Sequence, residues 1–522
     1  MLGFWSNGVC GQIMQTSGIW ELSYTSGSGA ALARRTTPTQ ANLQQVSQKP
    51  RQDLIGKTVV VVGLGVSGRA AAKLALARGA SVIGVDNNAH LLPLEMDPGF
   101  GGQDLSRLKT ELGPHQRKTF FEASKLVVSP GVPVSQPIVS DAIKNGVPAV
   151  SELGFATEVF PRSIKIVAVT GTNGKSTVVT FTEQILSQAG IQTFVGGNLG
   201  TPLSEASLQC LSFPVDDPPF NAAVVEVSSY QMELSGSFNP LVAAVLNLTE
   251  DHLERHKTME SYGMMKCRLF SGMGPLNTSA IPYSDSFLRK LAFQSGGKGS
   301  RAWLGGLPGV QLDSQAERAI VVVPTTGAEV CLNLNSVNCI GLHNRHNAGT
   351  AALLALALDV GLEQDGLQRA LSTLQLPPHR MQLVCEDKRG VRWINDSKAT
   401  NVAATYTGLK GFAGCKSVVL LGGLAKVGSE ENLGFGQLVE VLGSHIAVIV
   451  FGASREKIVE ELHAAGLKIP CISVESMANA IDVAKSTAQR GDTILLTPAC
   501  ASFDEFSNFE HRGQVFSNLA KA

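Results

Sequence analysis

Apolar runs of four to six residues alternate with helix-compatible stretches along most of the chain. The run Thr58-Val-Val-Val-Val62 precedes an alanine-rich stretch and then a second apolar run at residues 81–85. The same order recurs from Ile164 and again from Val391. Continuous apolar runs are typical of strands covered on both faces, and their alternation with helices predicts parallel, doubly wound sheets. We therefore expect an α/β protein.

The length of 522 residues is enough for about three domains. The repeated pattern predicts a Rossmann-like N-terminal domain at residues 54–160, a central P-loop ATPase domain at 161–376 and a Rossmann-like C-terminal domain at 377–522. The last boundary falls at Pro377-Pro378, because proline pairs restrict the backbone before them.

A phosphate-binding loop is predicted directly after the apolar run 164–169. Thr170-Gly-Thr-Asn-Gly-Lys175-Ser-Thr177 has glycines, a lysine and hydroxyl residues between a strand and a helix. In such loops backbone N–H groups approach the phosphates, and the lysine neutralises their charge. The usual pattern has glycine where this chain has Val169, so the match is incomplete. We predict a nucleoside triphosphate site that is formed by Gly171, Thr172, Asn173, Gly174, Lys175, Ser176 and Thr177.

Two groups that follow neighbouring apolar runs are candidate magnesium ligands. Glu226 directly follows the apolar run 222–225. Many phosphate-loop proteins have a magnesium-binding carboxylate at the end of a neighbouring strand in the same way. His252 follows the run 241–248. The order His252-Leu-Glu-Arg-His256 differs from the His-Glu-x-x-His of zinc proteases, which disfavours zinc. We interpret His252 as a magnesium ligand or phosphate contact and His256 as a surface histidine.

The first α/β segment carries a glycine-rich turn. Gly63-Leu-Gly-Val-Ser-Gly68 lies between two apolar runs, and Asp86 ends the second of them. This spacing is typical of dinucleotide binding and, taken alone, predicts a dehydrogenase. The turn itself indicates only that a diphosphate or a close-packed helix is accommodated. Ser129-Pro-Gly131 follows a later run and faces the same crevice, unless it is a structural turn.

Polar clusters in the last third of the chain follow apolar runs, at residues 395–401, 422–426 and 498–513. Open α/β sheets bind ligands at the carboxyl ends of their strands. Lys398 and Lys426 are therefore candidate anion-binding lysines, the alternative being solvated surface lysines. Asn344 and Asn347 lie near the start of a long alanine- and leucine-rich helix, where an amide caps the helix or contacts a base or phosphate.

The composition argues against some classes of binding partner. Lys and Arg number 43, as do Asp and Glu, so the formal net charge of zero gives no basic field for nucleic acid or anionic membrane. The 9 cysteines form no Cys-x-x-Cys pair, which is typical of a reducing compartment and argues against a disulfide framework. No apolar run approaches the roughly 18 residues that span a bilayer. We expect a soluble protein without nucleic-acid or membrane partners.

Residues 1–53 differ from the rest and are expected to be a disordered extension. Up to Gln52 they contain one acidic residue, Glu21, and four basic ones, Arg34, Arg35, Lys49 and Arg51. Acid-poor, hydroxyl-rich composition is typical of an organelle transit peptide. An untargeted tail, or a start codon assigned too early, is the alternative.

Together the motifs resemble those of the Mur ligases, ATP-dependent amide-bond-forming enzymes of peptidoglycan precursor synthesis. The resemblance spans roughly residues 54–522 and rests on the phosphate loop, Glu226-Val-Ser-Ser229, Asn247-Leu-Thr-Glu-Asp-His252, His343-Asn344 and Pro378-His-Arg380. Residues 395–401 and Pro498-Ala-Cys-Ala-Ser-Phe-Asp-Glu-Phe506 are similar to the D-glutamate-adding members. Another Mur ligase, or a folylpolyglutamate synthetase-like ligase, is the alternative.

The resemblance implies a reaction and its small-molecule substrates. ATP would phosphorylate the carboxylate of UDP-N-acetylmuramoyl-L-alanine, and the amine of D-glutamate would then displace phosphate. ATP and Mg²⁺ are the implied cofactors, and we expect a monomer. The glycine-rich turn would contact uridine diphosphate instead of nicotinamide. The enzyme would act in a plastid stroma if residues 1–53 are a transit peptide, and otherwise in a bacterial cytoplasm.

The resemblance also implies roles for residues. Catalytic roles fall to Lys175, His252, Lys266 and Lys398, and ATP contacts to the phosphate loop with Asn344, Arg380 and Asp396. The implied UDP-sugar contacts are Val66, Ser67, Asp86, Asn87, Ser129, Gly131 and Asn198. The D-glutamate pocket would comprise Thr400, Lys426, Ser502 and Phe509. Magnesium would be held by Ser176, Glu226, His252 and a carbamylated Lys266.

Two of these assignments are less specific. Lys266, in Tyr262-Gly-Met-Met-Lys266, resembles the lysine that is carbamylated in the family, but no motif sets its distance from His252, so Lys257 is an alternative. The stretch Gly423-Leu-Ala-Lys426 departs from the Gly-x-Asp-Lys of the family, which leaves the shape of that loop open.

Overall fold

The computed structural model describes residues 51–337, 342–412, 415–425 and 433–521. They form three mostly parallel β-sheets with flanking helices, which confirms the predicted α/β fold class. The expected N-terminal extension up to residue 50, and the candidate Lys426, lie outside the described residues. The seven cysteines within them are free thiols. No helix in the described part of the chain combines the length and apolarity needed to cross a bilayer.

The first sheet is wholly parallel, in the order β3-β2-β1-β4-β5. Its strands are β1 (Thr58–Val62), β2 (Ser81–Asp86), β3 (Leu108–Leu112), β4 (Lys125–Val128) and β5 (Ala149–Ser151). Its helices are α1 (Val66–Ala77), α2 (Arg117–Phe121), α3 (Pro137–Lys144) and α4 (Glu152–Thr157). The order reverses beside β1, where such sheets have their ligand crevice.

The second sheet has nine strands, in the order β14-β13-β12-β11-β10-β9-β6-β8-β7. They are β6 (Lys165–Thr170), β7 (Thr193–Gly197), β8 (Ala222–Glu226), β9 (Val242–Val245), β10 (Thr278–Pro282), β11 (Ser300–Leu304), β12 (Gly309–Leu312), β13 (Arg318–Val322) and β14 (Glu329–Asn333). The helices are α5 (Lys175–Gln188), α6 (Leu203–Cys210), α7 (Leu253–His256), α8 (Met259–Cys267), α9 (Ser286–Gln294), α10 (Leu342–Leu356) and α11 (Gln364–Leu371). The last three strands form an antiparallel meander, in which exposed and buried residues alternate on β13 and β14.

The third sheet has the order β15-β16-β20-β17-β18-β19, and only the edge strand β15 is antiparallel. Its strands are β15 (Gln382–Glu386), β16 (Arg392–Asn395), β17 (Ser417–Gly422), β18 (Ala447–Phe451), β19 (Cys471–Ser473) and β20 (Thr493–Ala499). Its helices are α12 (Val402–Gly411), α13 (Val439–Leu442), α14 (Arg455–Ala464), α15 (Met477–Thr487) and α16 (Phe509–Lys521). Buried apolar side chains cover both faces of β17, β18 and β20, as the continuous apolar runs predicted.

A buried carboxyl group joins α4 to α6. Glu152 is fully buried, and its Oε1 accepts a hydrogen bond from the backbone N–H of Ser204 at 2.6 Å. Among the described residues its Oε2 has no hydrogen-bond partner, and neither has the hydroxyl of Ser204. Burial raises the pKa of Glu152 to about 7, although the bond from Ser204 partly offsets this. The folded chain therefore favours the protonated form of this carboxyl group.

We predict that Glu152→Gln removes a pH-dependent loss of stability. The folded-state pKa is higher than the usual value of 4.5, so the wild type loses up to about 3 kcal/mol of unfolding free energy as pH rises from 4.5 to 7. A neutral amide of the same shape does not ionise. Urea unfolding should therefore show the variant to be more stable than the wild type at pH 8 but not at pH 4.5.

The control for this prediction is Glu122→Gln, at the end of α2. The side chain of Glu122 is 67% exposed and its Oε1 lies 3.9 Å from the Nζ of Lys118. This variant should keep the wild-type profile of stability against pH. Parallel profiles for Glu152→Gln and the wild type would contradict the prediction.

Candidate active site

The phosphate loop is the turn between β6 and α5. Gly171 (φ 150°) and Gly174 (φ 84°) have backbone angles that residues with a side chain rarely adopt. Gly174 precedes the first turn of α5, whose backbone N–H groups lack acceptors within the helix and face the loop. This geometry provides a concave set of donors for an anion.

Asn247, directly after β9, holds the loop in shape. Its Oδ1 accepts from the backbone N–H of Asn173 at 2.8 Å, and its Nδ2 donates to the carbonyl of the same residue at 3.0 Å. Thr172 is fixed on the other side, where its hydroxyl donates to the carbonyl of Thr249 at 3.1 Å. The segment after β9 thus sets the conformation of the anion-binding turn.

A lysine, a serine and a carboxylate converge beside this turn. The Nζ of Lys175 donates to the carbonyls of Gly171 and Thr172 at 2.9 and 2.8 Å. The hydroxyl of Ser176 donates to Oε2 of Glu226 at 2.5 Å, and Nδ2 of Asn198 donates to its Oε1 at 3.1 Å. Ser176 at the start of α5 and Asn198 after β7 therefore both contact the carboxylate of Glu226 at the end of β8.

The carboxylate of Glu226 is buried and ionised. Burial would raise its pKa, but the charges of Lys175 and Lys398 and the hydrogen bonds from Ser176 and Asn198 outweigh burial and lower it. A buried anion held among cations is suited to a divalent metal that also contacts phosphate oxygens.

His252 and His256 do not form a common metal site. His252 (φ 56°) has its Nδ1 2.8 Å from the hydroxyl of Tyr230, and its Nε2 lies 3.6 Å from Oδ2 of Asp251. His256 was expected at the surface but is buried, with its Nε2 2.9 Å from the hydroxyl of Ser229. The described residues contain no cluster of three His, Cys, Asp or Glu side chains suited to a metal.

The two candidate lysines for carbamylation have different surroundings. Lys266 on α8 is 2% exposed, its Nζ donates to the carbonyl of Gly171 at 2.9 Å, and it lies 4.3 Å from the ring centroid of Tyr262. Burial, and then the charge of Lys175, lower the pKa of Lys266 well below its usual range. Lys257 is exposed, and its Nζ donates to the carbonyl of Glu254. Only Lys266 adjoins the phosphate loop.

The carboxyl end of the third sheet brings further charges to this centre. Burial lowers the pKa of Lys398 to about 8, because the nearby Glu226 only partly offsets burial and the charge of Arg380 adds to it. Burial raises the pKa of Asp396 to about 6 against the opposing charge of Arg380. The Oδ2 of Asp396 accepts from the hydroxyl of Thr497 at 3.0 Å. These residues therefore share one electrostatic environment with the phosphate loop.

The candidates for the amino-acid pocket lie along the same edge. Ser502 is buried, and Thr400 and Phe509 are partly buried. The ring centroid of Phe509 is 5.3 Å from Nζ of Lys398. Next to Thr400, Nδ2 of Asn401 is 3.3 Å from Oδ2 of Asp251, which follows β9. The second and third sheets are thus in direct contact here.

All but one of the candidates for the sugar nucleotide lie at the glycine-rich turn of the first sheet; Asn198 instead contacts Glu226 in the second sheet. The Oδ2 of Asp86 accepts from the backbone N–H of Leu64 at 2.8 Å, and the hydroxyl of Ser129 donates to the carbonyl of Gly63 at 2.7 Å. The remaining candidates, Val66, Asn87 and Gly131, are exposed, and Ser67 is partly so. Asp86 and Ser129 therefore shape the turn, while the other four present atoms to solvent.

Sequence reasoning missed the roles of Asn247 and Arg512. Asn247 shapes the phosphate loop. Asn347, expected with Asn344 near the start of α10, donates from Nδ2 to Oδ1 of that residue at 3.2 Å. Arg512 is fully buried and donates to the hydroxyl and carbonyl of Ser397 and to the carbonyls of Cys500 and Ala501. For Arg512 the available signal was a charged residue inside the apolar pattern of α16.

Comparisons with known families match all three sheets. The N-terminal domain of MurD-like Mur ligases matches residues 57–151, the Mur ligase middle domain matches 169–355, and the glutamate ligase domain of Mur ligases matches 379–500. The UDP-N-acetylmuramoylalanine–D-glutamate ligase of Anaeromyxobacter dehalogenans is 36% identical over 482 residues, covering 90% of this chain and 98% of that protein. The protein of that name from Koribacter versatilis is 33% identical over 476 residues, with 90% and 98% covered.

Solved structures share the fold at low identity. MurF from Acinetobacter baumannii gives a TM-score of 0.54 at 17% identity, covering 91% of this chain and 92% of that one. UDP-N-acetylmuramate–alanine ligase from Thermotoga maritima gives 0.53 at 17% identity, covering 89% and 99%. FolC from E. coli, solved in complex with DHPP and ADP, gives 0.50 at 18% identity, with 71% and 92% covered.

We predict that Asn247→Ala weakens ATP binding about tenfold, because the phosphate loop loses two hydrogen bonds of about 0.5–1.5 kcal/mol each. Isothermal titration calorimetry with ATP measures this. The control is Asn277→Ala. Asn277 also bridges two backbone groups, of Gly274 and Pro240, but at the opposite end of the second sheet. If both variants bound ATP like the wild type, Asn247 would not set the shape of the loop.

Proposed function

Because the chain belongs to the Mur ligase family, we propose that it adds D-glutamate to UDP-N-acetylmuramoyl-L-alanine at the expense of ATP. The observation that carries the proposal is the contact of Ser176 with the ionised Glu226 beside the phosphate loop. The relatives that share about a third of the residues over nine-tenths of the chain bear the name of that reaction. The chain is then an amide-bond-forming ligase of peptidoglycan precursor synthesis.

The reaction needs activation, because a carboxylate is a poor acyl donor. An oxygen of the muramoyl-alanine carboxylate attacks the γ-phosphorus of ATP, and ADP leaves. The amine nitrogen of D-glutamate then attacks the acyl carbon and loses a proton, and inorganic phosphate leaves with the electron pair of the broken C–O bond. Both steps create negative charge on phosphoryl oxygens, which nearby cations stabilise.

Lys175 and Lys398 are the cations proposed for this task. Support comes from their positions: Lys175 folds over the phosphate loop, and the charge of Lys398 acts on the same Glu226. Asn344, Arg380 and Asp396 are proposed to contact ATP. The UDP sugar would lie against the turn that Asp86 and Ser129 shape, and D-glutamate near Thr400, Ser502 and Phe509.

The donor set beside the phosphate loop fits Mg²⁺. Magnesium takes oxygen ligands and is usually held by one or two carboxylates together with substrate phosphates. Glu226, the hydroxyl of Ser176 and His252 would hold it. Bound Mg²⁺ would neutralise charge on the phosphate oxygens.

Lys266 is proposed to carry a carbamate. Burial lowers its pKa and so increases the share of neutral amine, the form that attacks CO₂, releasing one proton and forming an oxygen-bearing anion beside Gly171. Such a group is a hard ligand suited to a second magnesium ion. Lys257 lacks this environment because it is exposed.

Cellular context is part of the proposal. The curated relatives named above come from bacteria, so we propose action in a bacterial cytoplasm, as a monomer. Action in a plastid stroma is the alternative, and it depends on residues 1–53 serving as a transit peptide.

The test is release of inorganic phosphate. We expect ATP-dependent release only when UDP-N-acetylmuramoyl-L-alanine and D-glutamate are both present. Release with meso-diaminopimelate, or with a folate substrate and L-glutamate, would instead favour the other ligase classes. Lys175→Ala should release no phosphate yet still bind the UDP sugar, and loss of both properties would contradict separate nucleotide sites.

We also predict that bicarbonate depletion lowers turnover of the wild type, because the carbamate forms reversibly from CO₂. Activity should return when bicarbonate is added back. Lys257→Ala is the control and should respond to bicarbonate like the wild type, whereas Lys266→Ala should be inactive with or without it. Unchanged wild-type turnover in degassed, bicarbonate-free buffer would argue against a carbamate at Lys266.

A further inference from the structure

Arg255 on α7 uses its guanidinium group to join two parts of the chain. Its Nε and Nη2 donate to the two carboxylate oxygens of Glu233 at 2.8 and 2.7 Å. Its Nη1 donates to the carbonyl of Pro130 at 2.7 Å, and its Nη2 to that of Val132 at 3.0 Å. The side chains of Arg255 and Glu233 are 13% and 15% exposed. Arg255 and Glu233 therefore form a largely buried, bidentate ion pair. The guanidinium group also donates to two carbonyls in a loop of the first sheet.

That loop forms one wall of the glycine-rich turn. Ser129 donates from its backbone N–H to the carbonyl of Val62 and from its hydroxyl to that of Gly63. The backbone N–H of Val132 donates to the carbonyl of Ser129 at 3.0 Å, which closes a tight turn. Arg255 therefore donates to the carbonyls of Pro130 and Val132, while Ser129 of the same segment contacts the glycine-rich turn.

On its other side Arg255 contacts the second sheet's phosphate end. The guanidinium carbon lies 4.1 Å from the ring centroid of Tyr230, and the hydroxyl of that tyrosine is 2.8 Å from Nδ1 of His252. The backbone N–H of Arg255 also donates to the carbonyl of His252 at 3.1 Å. One side chain thus connects the loop at residues 129–132 with the segment that leads back to the phosphate loop.

We infer that Arg255 is a positioning residue that sets the distance between the sugar-nucleotide turn and the phosphoryl-transfer centre. This inference rests on the proposed function, in which one substrate reaches from the first sheet to the second. Its uridine end is held at one sheet and its carboxylate reacts at the other, so the spacing of the two sites sets how closely carboxylate and ATP approach. A misplacement of about 1 Å can cost about a hundredfold in rate.

Lysine cannot replace this arginine. The planar guanidinium presents donors in a fixed fork that satisfies a carboxylate and two carbonyls together, whereas an ammonium is a compact point charge. Arg255→Lys therefore keeps the charge but loses the geometry, which makes it the informative variant.

We expect Arg255→Lys to lower kcat/KM for UDP-N-acetylmuramoyl-L-alanine by about tenfold to a hundredfold, with the KM for ATP within about twofold of the wild type. The matched control is Arg268→Lys. Arg268 is exposed and donates to the carbonyl of the same Glu233, without contacting the loop. It should behave like the wild type. Kinetics of Arg255→Lys within twofold of the wild type, or equal losses for all three substrates with a lower Tm, would overturn the inference.

Hydrogen–deuterium exchange of the substrate-free protein separates this inference from the proposed function. The amides of residues 129–136 should exchange faster in Arg255→Lys than in the wild type and in Arg268→Lys. Unchanged exchange would overturn the positioning role whichever substrate the wild type uses. Wild-type inactivity with the proposed substrates, together with faster exchange in the variant, would reject the function and leave the link between the two sheets intact.

Discussion

The candidate active site depends on the electrostatic attraction between one buried carboxylate and the lysines around it. Glu226 stays ionised because Lys175 and Lys398 lie near it. Burial lowers the pKa of Lys398 and of Lys266, and the charge of Lys175 adds to that effect. Like charges at close range in a poorly hydrated site are costly unless an anion joins them. In the proposed reaction a triphosphate would supply that anion. Since Lys175 belongs to the second sheet and Lys398 to the third, nucleotide binding would then favour close contact of those two sheets.

Strand topology brings these charges together. Parallel pairing aligns Val169 of β6 with Glu226 of β8, so the phosphate loop and the carboxylate leave adjacent strands at the same edge. In the third sheet, β16 ends at Asn395 beside β20, and Lys398 follows within three residues. Both sheets therefore contribute residues from the carboxyl ends of their strands. Open α/β sheets bind their ligands at that edge.

The sequence predicted the parts of this arrangement whose determinants are local. The phosphate loop and the glycine-rich turn at residues 63–68 combine composition and spacing within about 15 residues, so their positions in the chain follow from short-range rules. Arg255 and Arg512 were missed because their acceptors lie elsewhere, at Pro130 and at Ser397. His256 was expected at the surface, but the rings of Tyr230 and Tyr262 lie beside it, 5.5 and 5.2 Å between centroids. Such long-range contacts leave no pattern in a single sequence.

The glycine-rich turn shows why a motif alone does not identify a ligand. A side chain at Gly68 would collide with the carbonyl of Gly63, so close packing of α1 on β1 already requires that glycine. Dehydrogenases and sugar-nucleotide ligases have the same need, and the turn is compatible with both. What differs is the neighbourhood: here the loop at residues 129–132 is tied through Arg255 to a segment beside a phosphate loop. The motif therefore has to be read together with the elements beside it, and the loop next to this turn is tied to the segment that follows β9.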